Sequence, residues 1–170
     1  LCTHSTDWSL DNRNIMHESR GYILLIAFMP VHCNFCQNQL KKLQVTTQIF
    51  REIRVVIIVA MDENPRTINY YQQEFPELTI IKDSTADRVW EKHGATPHDH
   101  FIYDRCGRLS IIIRHPRSDM SNYEDTIKSL KSALNYARCG WCQYDPQPSF
   151  RSLPVNYFLS NSILELENSR

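Results

Sequence analysis

The sequence lacks the features that usually identify membrane-spanning, nucleic-acid-binding or N-glycosylated chains. No apolar stretch approaches the roughly 18 residues that a membrane-spanning helix requires. The 19 basic and 19 acidic residues cancel to a formal net charge of zero, so no overall field attracts nucleic acid or an anionic membrane surface. No Asn-x-Ser/Thr sequence offers an N-glycosylation site. We therefore expect a soluble globular chain with no membrane span and no nucleic-acid partner.

The chain of 170 residues does contain six cysteines, an even number that permits full disulfide pairing. Two pairs have the C-x-x-C spacing, Cys33 with Cys36 and Cys139 with Cys142, and the others are Cys2 and Cys106. The sequence begins at Leu1, so the absence of a signal peptide excludes nothing. The cellular compartment is therefore inferred from the cysteines, and their even number is typical of proteins in an oxidising environment.

Hydrophobic periodicity predicts strands that alternate with helices and end in a hairpin. Continuous apolar runs predict buried strands at 22–28, 54–61 and 78–81. Helical spacing predicts helices at 34–50, 65–74 and 85–93. Further strands at 100–103 and 109–113 flank a turn with Gly107, and a capping-box pattern at 121–124 starts a last helix that ends near 138. A C-x-x-C pair that opens the first helix of this order predicts an α/β thioredoxin-like fold, a central mixed β-sheet flanked by helices.

The hydrophobic pattern and the composition divide the chain into three parts. Residues 1–20 are polar and aperiodic and are expected to form an N-terminal arm. The thioredoxin-like domain is assigned to residues 21–142. Prolines interrupt the pattern in residues 143–170, which we interpret as a weakly structured C-terminal extension with one possible helix at 157–167.

The two C-x-x-C pairs are predicted to differ in chemistry. Cys33 follows a buried strand and starts a helix, where free backbone N–H groups and the helix dipole favour a thiolate. Cys36, one turn further on, can then attack a mixed disulfide on Cys33 and release the product. Cys139 and Cys142 follow a helix C-terminus, where the dipole disfavours a thiolate and Gly140 can cap the helix. Cys33 and Cys36 are therefore the predicted catalytic pair, and Cys139 and Cys142 a predicted structural staple.

Other arrangements of the cysteines remain open. The two C-x-x-C pairs could together form a Cys₄ zinc site, although zinc knuckles usually lie in small loop-rich modules. We favour no metal. Cys2 and Cys106 lie in loop-like segments, and their pairing would tie the arm to the hairpin turn.

Two further residues are candidates for binding the substrate. His32 precedes Cys33 directly, where a protonated imidazole would also favour the thiolate. Pro97 lies just before a predicted strand, in the segment where thioredoxin folds usually carry a cis-proline opposite the cysteine pair. His98 and His100 alternate around Asp99, which could make half a metal site but favours an exposed polar loop because no third ligand is evident.

Three segments resemble the N-terminal domain of selenoprotein P. They are the hairpin FIYDRCGRL at 101–109, the CGWC at 139–142, and an early cysteine followed by Trp8-Ser9. The resemblance covers about residues 1–142 and implies a secreted thioredoxin-like domain whose first redox position is selenocysteine, which aligns with Cys33. Sulfur at that position should weaken peroxidase chemistry and favour disulfide exchange. The chain lacks the cysteines for the family's second disulfide near the C-G-x-C pair, and it has no histidine-rich or selenocysteine-rich stretch to carry selenium.

The resemblance implies two functions of different kinds. The first is a thiol-dependent antioxidant activity, hydroperoxide reduction or thiol–disulfide exchange, with no bound cofactor and with glutathione or thioredoxin as electron donor. Its partners would be a small thiol, a hydroperoxide or a protein disulfide. The alternative is an extracellular selenium carrier or binding module that docks to a cell-surface receptor or glycosaminoglycan, with all its cysteines structural.

Overall fold

The fold is built on one five-stranded mixed sheet. A computed structural model describes residues 1–147. The strands are β1 (Ile23–Phe28), β2 (Ile53–Val59), β3 (Thr79–Lys82), β4 (Asp99–Tyr103) and β5 (Leu109–Ile113). The helices are α1 (Ile15–Glu18), α2 (Asn34–Ile49), α3 (Pro65–Glu74), α4 (Val89–His93) and α5 (Asp125–Asn135). Within residues 1–147, no helix combines the length and the apolar character needed to cross a membrane.

Strand β1 lies at the centre of the sheet, whose order is β3-β2-β1-β4-β5. All six residues of β1 are buried, which is why its sequence is continuously apolar. β1 and β3 run parallel to β2, whereas β4 is antiparallel to β1 and to β5. The α/β thioredoxin-like fold predicted from the sequence, a central mixed sheet flanked by helices, is confirmed.

The sheet buries a hydrophobic core on each face. One core contains alternate residues of β1 and β2 packed against α2, α3 and α5, through side chains that include Leu40, Leu43, Ile68 and Leu130. The other core is covered by α4 and by residues of the N-terminal arm: Trp8, Leu10, Ile15 and Met16. The arm therefore supplies core side chains and the short helix α1, which its polar, aperiodic sequence does not predict.

The structural disulfides differ from the predicted pairing. Cys2 is bonded to Cys139 and Cys106 to Cys142, so a Cys2–Cys106 bond and a Cys139–Cys142 staple are both wrong. The reason is that three segments meet at the β4–β5 turn. The Cys2 N–H donates to the Leu109 carbonyl, and Arg108 donates to the carbonyl groups of Cys139 and Gly140. Each cysteine of the C-x-x-C pair therefore faces a cysteine of another segment, with Cα–Cα distances of 5.3 and 6.4 Å. This pairing also excludes the four-cysteine zinc site from the structure.

Helix ends differ from the sequence prediction where side chains find other partners. The capping-box residue Ser121 does not cap α5; its hydroxyl accepts a hydrogen bond from the buried Gln39. Helix α4 is shorter than predicted because the Asp83 carboxylate accepts the N–H groups of Val89 and Trp90, which fixes its start there. The possible helix at 157–167 lies outside the described residues.

Candidate redox site at the start of helix α2

Cys33 and Cys36 form a disulfide at the first turn of α2, with a Cα–Cα distance of 5.0 Å. Cys33 is the N-cap residue, and its Sγ accepts a hydrogen bond from the Cys36 N–H at 3.0 Å. The Cys33 residue is partly exposed, whereas Cys36 is fully buried. A substrate can therefore reach the first sulfur but not the second, which is the asymmetry that a nucleophile and a resolving group require.

The electrostatic setting of Cys33 favours negative charge on its sulfur. Helix α2 has 16 residues, and its first turn contains no acidic side chain. The N-terminal end of such a helix carries a partial positive charge from aligned peptide dipoles and unpaired N–H groups. In the reduced protein, the Cys36 N–H lies where it can donate to a Cys33 thiolate, as it donates to this sulfur in the disulfide.

His32, predicted from the sequence to bind substrate, lies beside the pair and is held by an acidic residue. Its Nδ1 is 2.8 Å from Oε2 of Glu63, a residue of the loop between β2 and α3. The other Glu63 oxygen accepts the N–H of Asn64, which caps α3. The His32 side chain is largely exposed, so its second ring nitrogen is accessible to solvent. Sequence spacing could not reveal Glu63, since it lies 31 positions from its partner.

An aromatic and imidazole cluster adjoins the cysteine pair. The ring of Phe35, between the two cysteines, makes an edge contact with the ring of His98 at 4.8 Å and with that of His115 at 5.9 Å. The two imidazoles are 5.7 Å apart. Burial, with the neighbouring His115 adding to it, lowers the pKa of His98, so this ring is neutral near pH 7. The cluster gives the site an aromatic and imidazole surface that the sequence did not predict.

Pro97 does not have the cis peptide bond that its position before β4 predicted. Among residues 1–147, the cis peptide bond is His115–Pro116 and not Thr96–Pro97. His98, in a left-handed conformation with φ of 68°, donates its N–H to the Phe28 carbonyl and so occupies the place beside the end of β1. Pro97 precedes it on the exposed side, and its role in substrate binding stays a prediction.

His100 is not part of an exposed loop, contrary to the sequence analysis. It lies in β4, is 2% exposed, and its Nδ1 is 2.8 Å from the Thr126 hydroxyl of α5. Burial lowers its pKa from 6.5 to about 3. Among residues 1–147, no group of three or more histidine, cysteine or acidic residues is arranged to hold a metal ion.

We predict that His100 makes the protein less stable in weak acid. Between about pH 6.5 and pH 3, the unfolded chain binds a proton at this residue that the folded chain excludes, so stability falls as the pH falls. The slope contributed is up to about 1.4 kcal/mol per pH unit. Urea unfolding at pH 7, 6, 5 and 4 measures it. His100→Asn should flatten the dependence, whereas the exposed control His17→Asn should not; equal slopes in all three proteins would contradict the prediction.

The structural disulfides lie far from this site. The β1–β4 register places Asp99 beside Phe28, near the cysteine pair, and Tyr103 beside Leu24 at the opposite end. The turn with Cys106 follows Tyr103, so both structural disulfides lie at the other end of the sheet. Among the cysteines of residues 1–147, Cys33 and Cys36 are thus the two that lie away from the structural disulfides.

Comparisons with known proteins agree with this architecture. Residues 1–152 match the family model described as selenoprotein P, N-terminal region. The chain is 25% identical to selenoprotein P of Rattus norvegicus over 169 residues, covering 94% of this chain and 42% of that protein. It is 22% identical to selenoprotein Pa of Danio rerio over 151 residues, covering 85% of this chain and 41% of that protein. The chain thus spans about two fifths of the length of these relatives.

A solved structure supports the fold independently. A thiol:disulfide interchange protein of the thioredoxin family from Chlorobium tepidum superposes with a TM-score of 0.54 at 20% identity, over 70% of this chain and 84% of that one. At this identity the likeness concerns the fold alone. With the family match over residues 1–152, it leads to one assignment: the chain belongs to the selenoprotein P N-terminal region family and has a thioredoxin-like fold with a C-x-x-C pair at Cys33 and Cys36.

Proposed function

We propose that this chain is a secreted thiol–disulfide oxidoreductase domain in which Cys33 is the nucleophile and Cys36 the resolving cysteine. The observation that carries the proposal is the placement of a partly exposed sulfur at the N-cap of a long helix, bonded to a fully buried sulfur one turn later. The two structural disulfides support secretion, since such bonds persist in oxidising compartments.

The reaction begins from the reduced pair. The Cys33 thiolate attacks one sulfur of a substrate disulfide, forming a mixed disulfide and expelling the other sulfur as a thiolate. Cys36 loses its proton and attacks Cys33 Sγ, which releases the second substrate thiol and forms the Cys33–Cys36 bond. Two electrons pass to the substrate, and a thiol donor such as glutathione or thioredoxin returns them to the pair.

The same two cysteines can also reduce a hydroperoxide, at a lower rate than they exchange disulfides. The Cys33 thiolate attacks the terminal peroxide oxygen, giving a sulfenic acid and releasing the alcohol. Cys36 then condenses with the sulfenic acid, expelling water and forming the same disulfide. The family resemblance implies a selenol at this position, and a thiolate is a weaker nucleophile toward peroxides than a selenol is. We therefore propose disulfide exchange as the main activity and antioxidant peroxide reduction as the secondary one.

The surroundings of the pair fit a protein or peptide disulfide as substrate. Phe35 and His98 present partly exposed rings beside Cys33, and His115 is exposed next to them. Such rings can pack against the chain that flanks a disulfide. His32, held by Glu63, offers an exposed imidazole at the position before Cys33.

The reduction potential of the Cys33–Cys36 pair tests this function. We expect a value above about −300 mV in glutathione redox buffers, because the helix N-terminus stabilises the reduced thiolate. The Cys106–Cys142 disulfide of the same molecule is the internal control and should stay oxidised. A potential well below about −300 mV would identify Cys33–Cys36 as a structural bond and favour the binding or carrier module instead.

A further inference from the structure

A cavity of about 310 Å³ lies on the sheet face opposite α2, apart from the cysteine pair. Its walls come from the N-terminal arm, from α4, and from β4 and β5. The side chains that shape its interior include Trp8, His93, Phe101, Tyr103, Leu109 and Ile112. A volume of this size is at the lower end of the range for small-molecule sites.

Aromatic rings form the inner wall of this cavity. The rings of Trp8 and His93 make an edge contact at 5.5 Å, and His93 makes another with Phe101 at 5.7 Å. Leu109 and Ile112 of β5 remain partly exposed. Such a surface offers apolar contact and edge-to-face packing to a flat ring.

The lining of the cavity contains basic side chains but no acidic ones. Of the residues that line the cavity, the ionisable ones are His4, Lys92, His93 and Tyr103, and none is acidic. Burial lowers the pKa of His93 and raises that of Tyr103 to about 12, so both are neutral near pH 7. The Lys92 ammonium group is the strong charge of the lining, and it makes no ion pair within residues 1–147.

We propose that this cavity binds a small aromatic monocarboxylate. The ring lies against the aromatic wall, and the carboxylate faces Lys92. An amine-bearing ligand would bring a like charge to Lys92, and a neutral one would forgo the ion pair. The site does not depend on the redox function, because it lies on the other face of the sheet.

Three ligands with the same body and different head groups test the proposal. 3-Phenylpropionate, 3-phenylpropanol and 3-phenylpropylamine are titrated into the full oxidised chain and followed by amide NMR shifts. We expect the acid to bind about fivefold more tightly than the alcohol, and the amine more weakly than either. The shifts should be confined to residues of the arm, α4, β4 and β5. Equal affinities, or shifts elsewhere, including those of residues 148–170, would overturn the proposal.

Variants separate the role of charge from that of the cavity as such. Lys92→Gln, at an exposed position, should reduce the affinity for the acid to that for the alcohol and leave the alcohol unchanged. Trp8→Phe keeps a ring in the wall and should leave the preference for the acid over the alcohol unchanged. Lys42→Gln on α2 and Trp141→Phe at an exposed site are the matched controls and should bind as the unaltered chain does. Acid binding that survives Lys92→Gln unchanged would contradict the assignment.

Discussion

Replacing Cys33 by serine is expected to abolish both disulfide exchange and peroxide reduction, lowering each rate by at least about a thousandfold. A hydroxyl at the N-cap still accepts the Cys36 N–H and keeps the helix start, but it is not ionised near pH 7 and cannot form the mixed disulfide. The loss should therefore occur without a loss of stability beyond that of the short Cys33–Cys36 bond itself.

Cys36→Ser should fail at a different step. Cys33 remains free to attack, so the first thiol is released once per molecule and the chain then stays joined to the substrate. With oxidised glutathione as substrate, mass spectrometry should find one glutathione bound per chain, at Cys33. Asn34→Ala, between the two cysteines, is the control and should turn over normally. Labelling at Cys36, or turnover that persists in Cys33→Ser, would contradict the assigned order of attack.

The buried centre of the fold could be predicted because few kinds of residue are compatible with burial on both faces of a sheet. A strand covered on both faces, such as β1, must be continuously apolar, and the change to helical spacing after Cys33 places α2 within one residue of its observed end. The same two signals put Cys33 at the strand-to-helix junction. That position required no knowledge of contacts between distant segments.

What the sequence could not predict depends on contacts across the chain. The arm looks polar, yet Trp8 and Leu10, which precede the short helix α1, pack with Ile15 on one face of the sheet without the spacing of a strand or a long helix. The cysteine pairing followed from which segments meet at the β4–β5 turn, and local spacing pointed to the wrong partner for Cys139. His98 and Glu63 reach the redox site from separate loops, so neither carries a local signal.

Removing the Cys2–Cys139 disulfide is expected to cause the largest loss of stability of any change that spares the redox pair. This bond joins residues 137 positions apart, and the chain-entropy model gives about 5 kcal/mol for a loop of that length. The Cys106–Cys142 bond closes a separation of 36 residues and should contribute about 4 kcal/mol. Cys2 also anchors the arm, so its release weakens the packing of Trp8 and Leu10 on the sheet.

The double variant Cys2→Ala/Cys139→Ala tests this in urea unfolding, with Cys106→Ala/Cys142→Ala as the matched comparison. Because both bonds lie at the end of the sheet away from Cys33, the rate at which an alkylating reagent labels reduced Cys33 should be unchanged in the folded variants. A loss below about 1 kcal/mol would show that the arm is held by its apolar contacts and not by the bond. A Cys2–Cys106 peptide in a non-reducing digest of the unaltered chain would contradict the pairing itself. Loss of stability together with unchanged labelling would mean that this end of the sheet supplies the rigidity and the other end the chemistry.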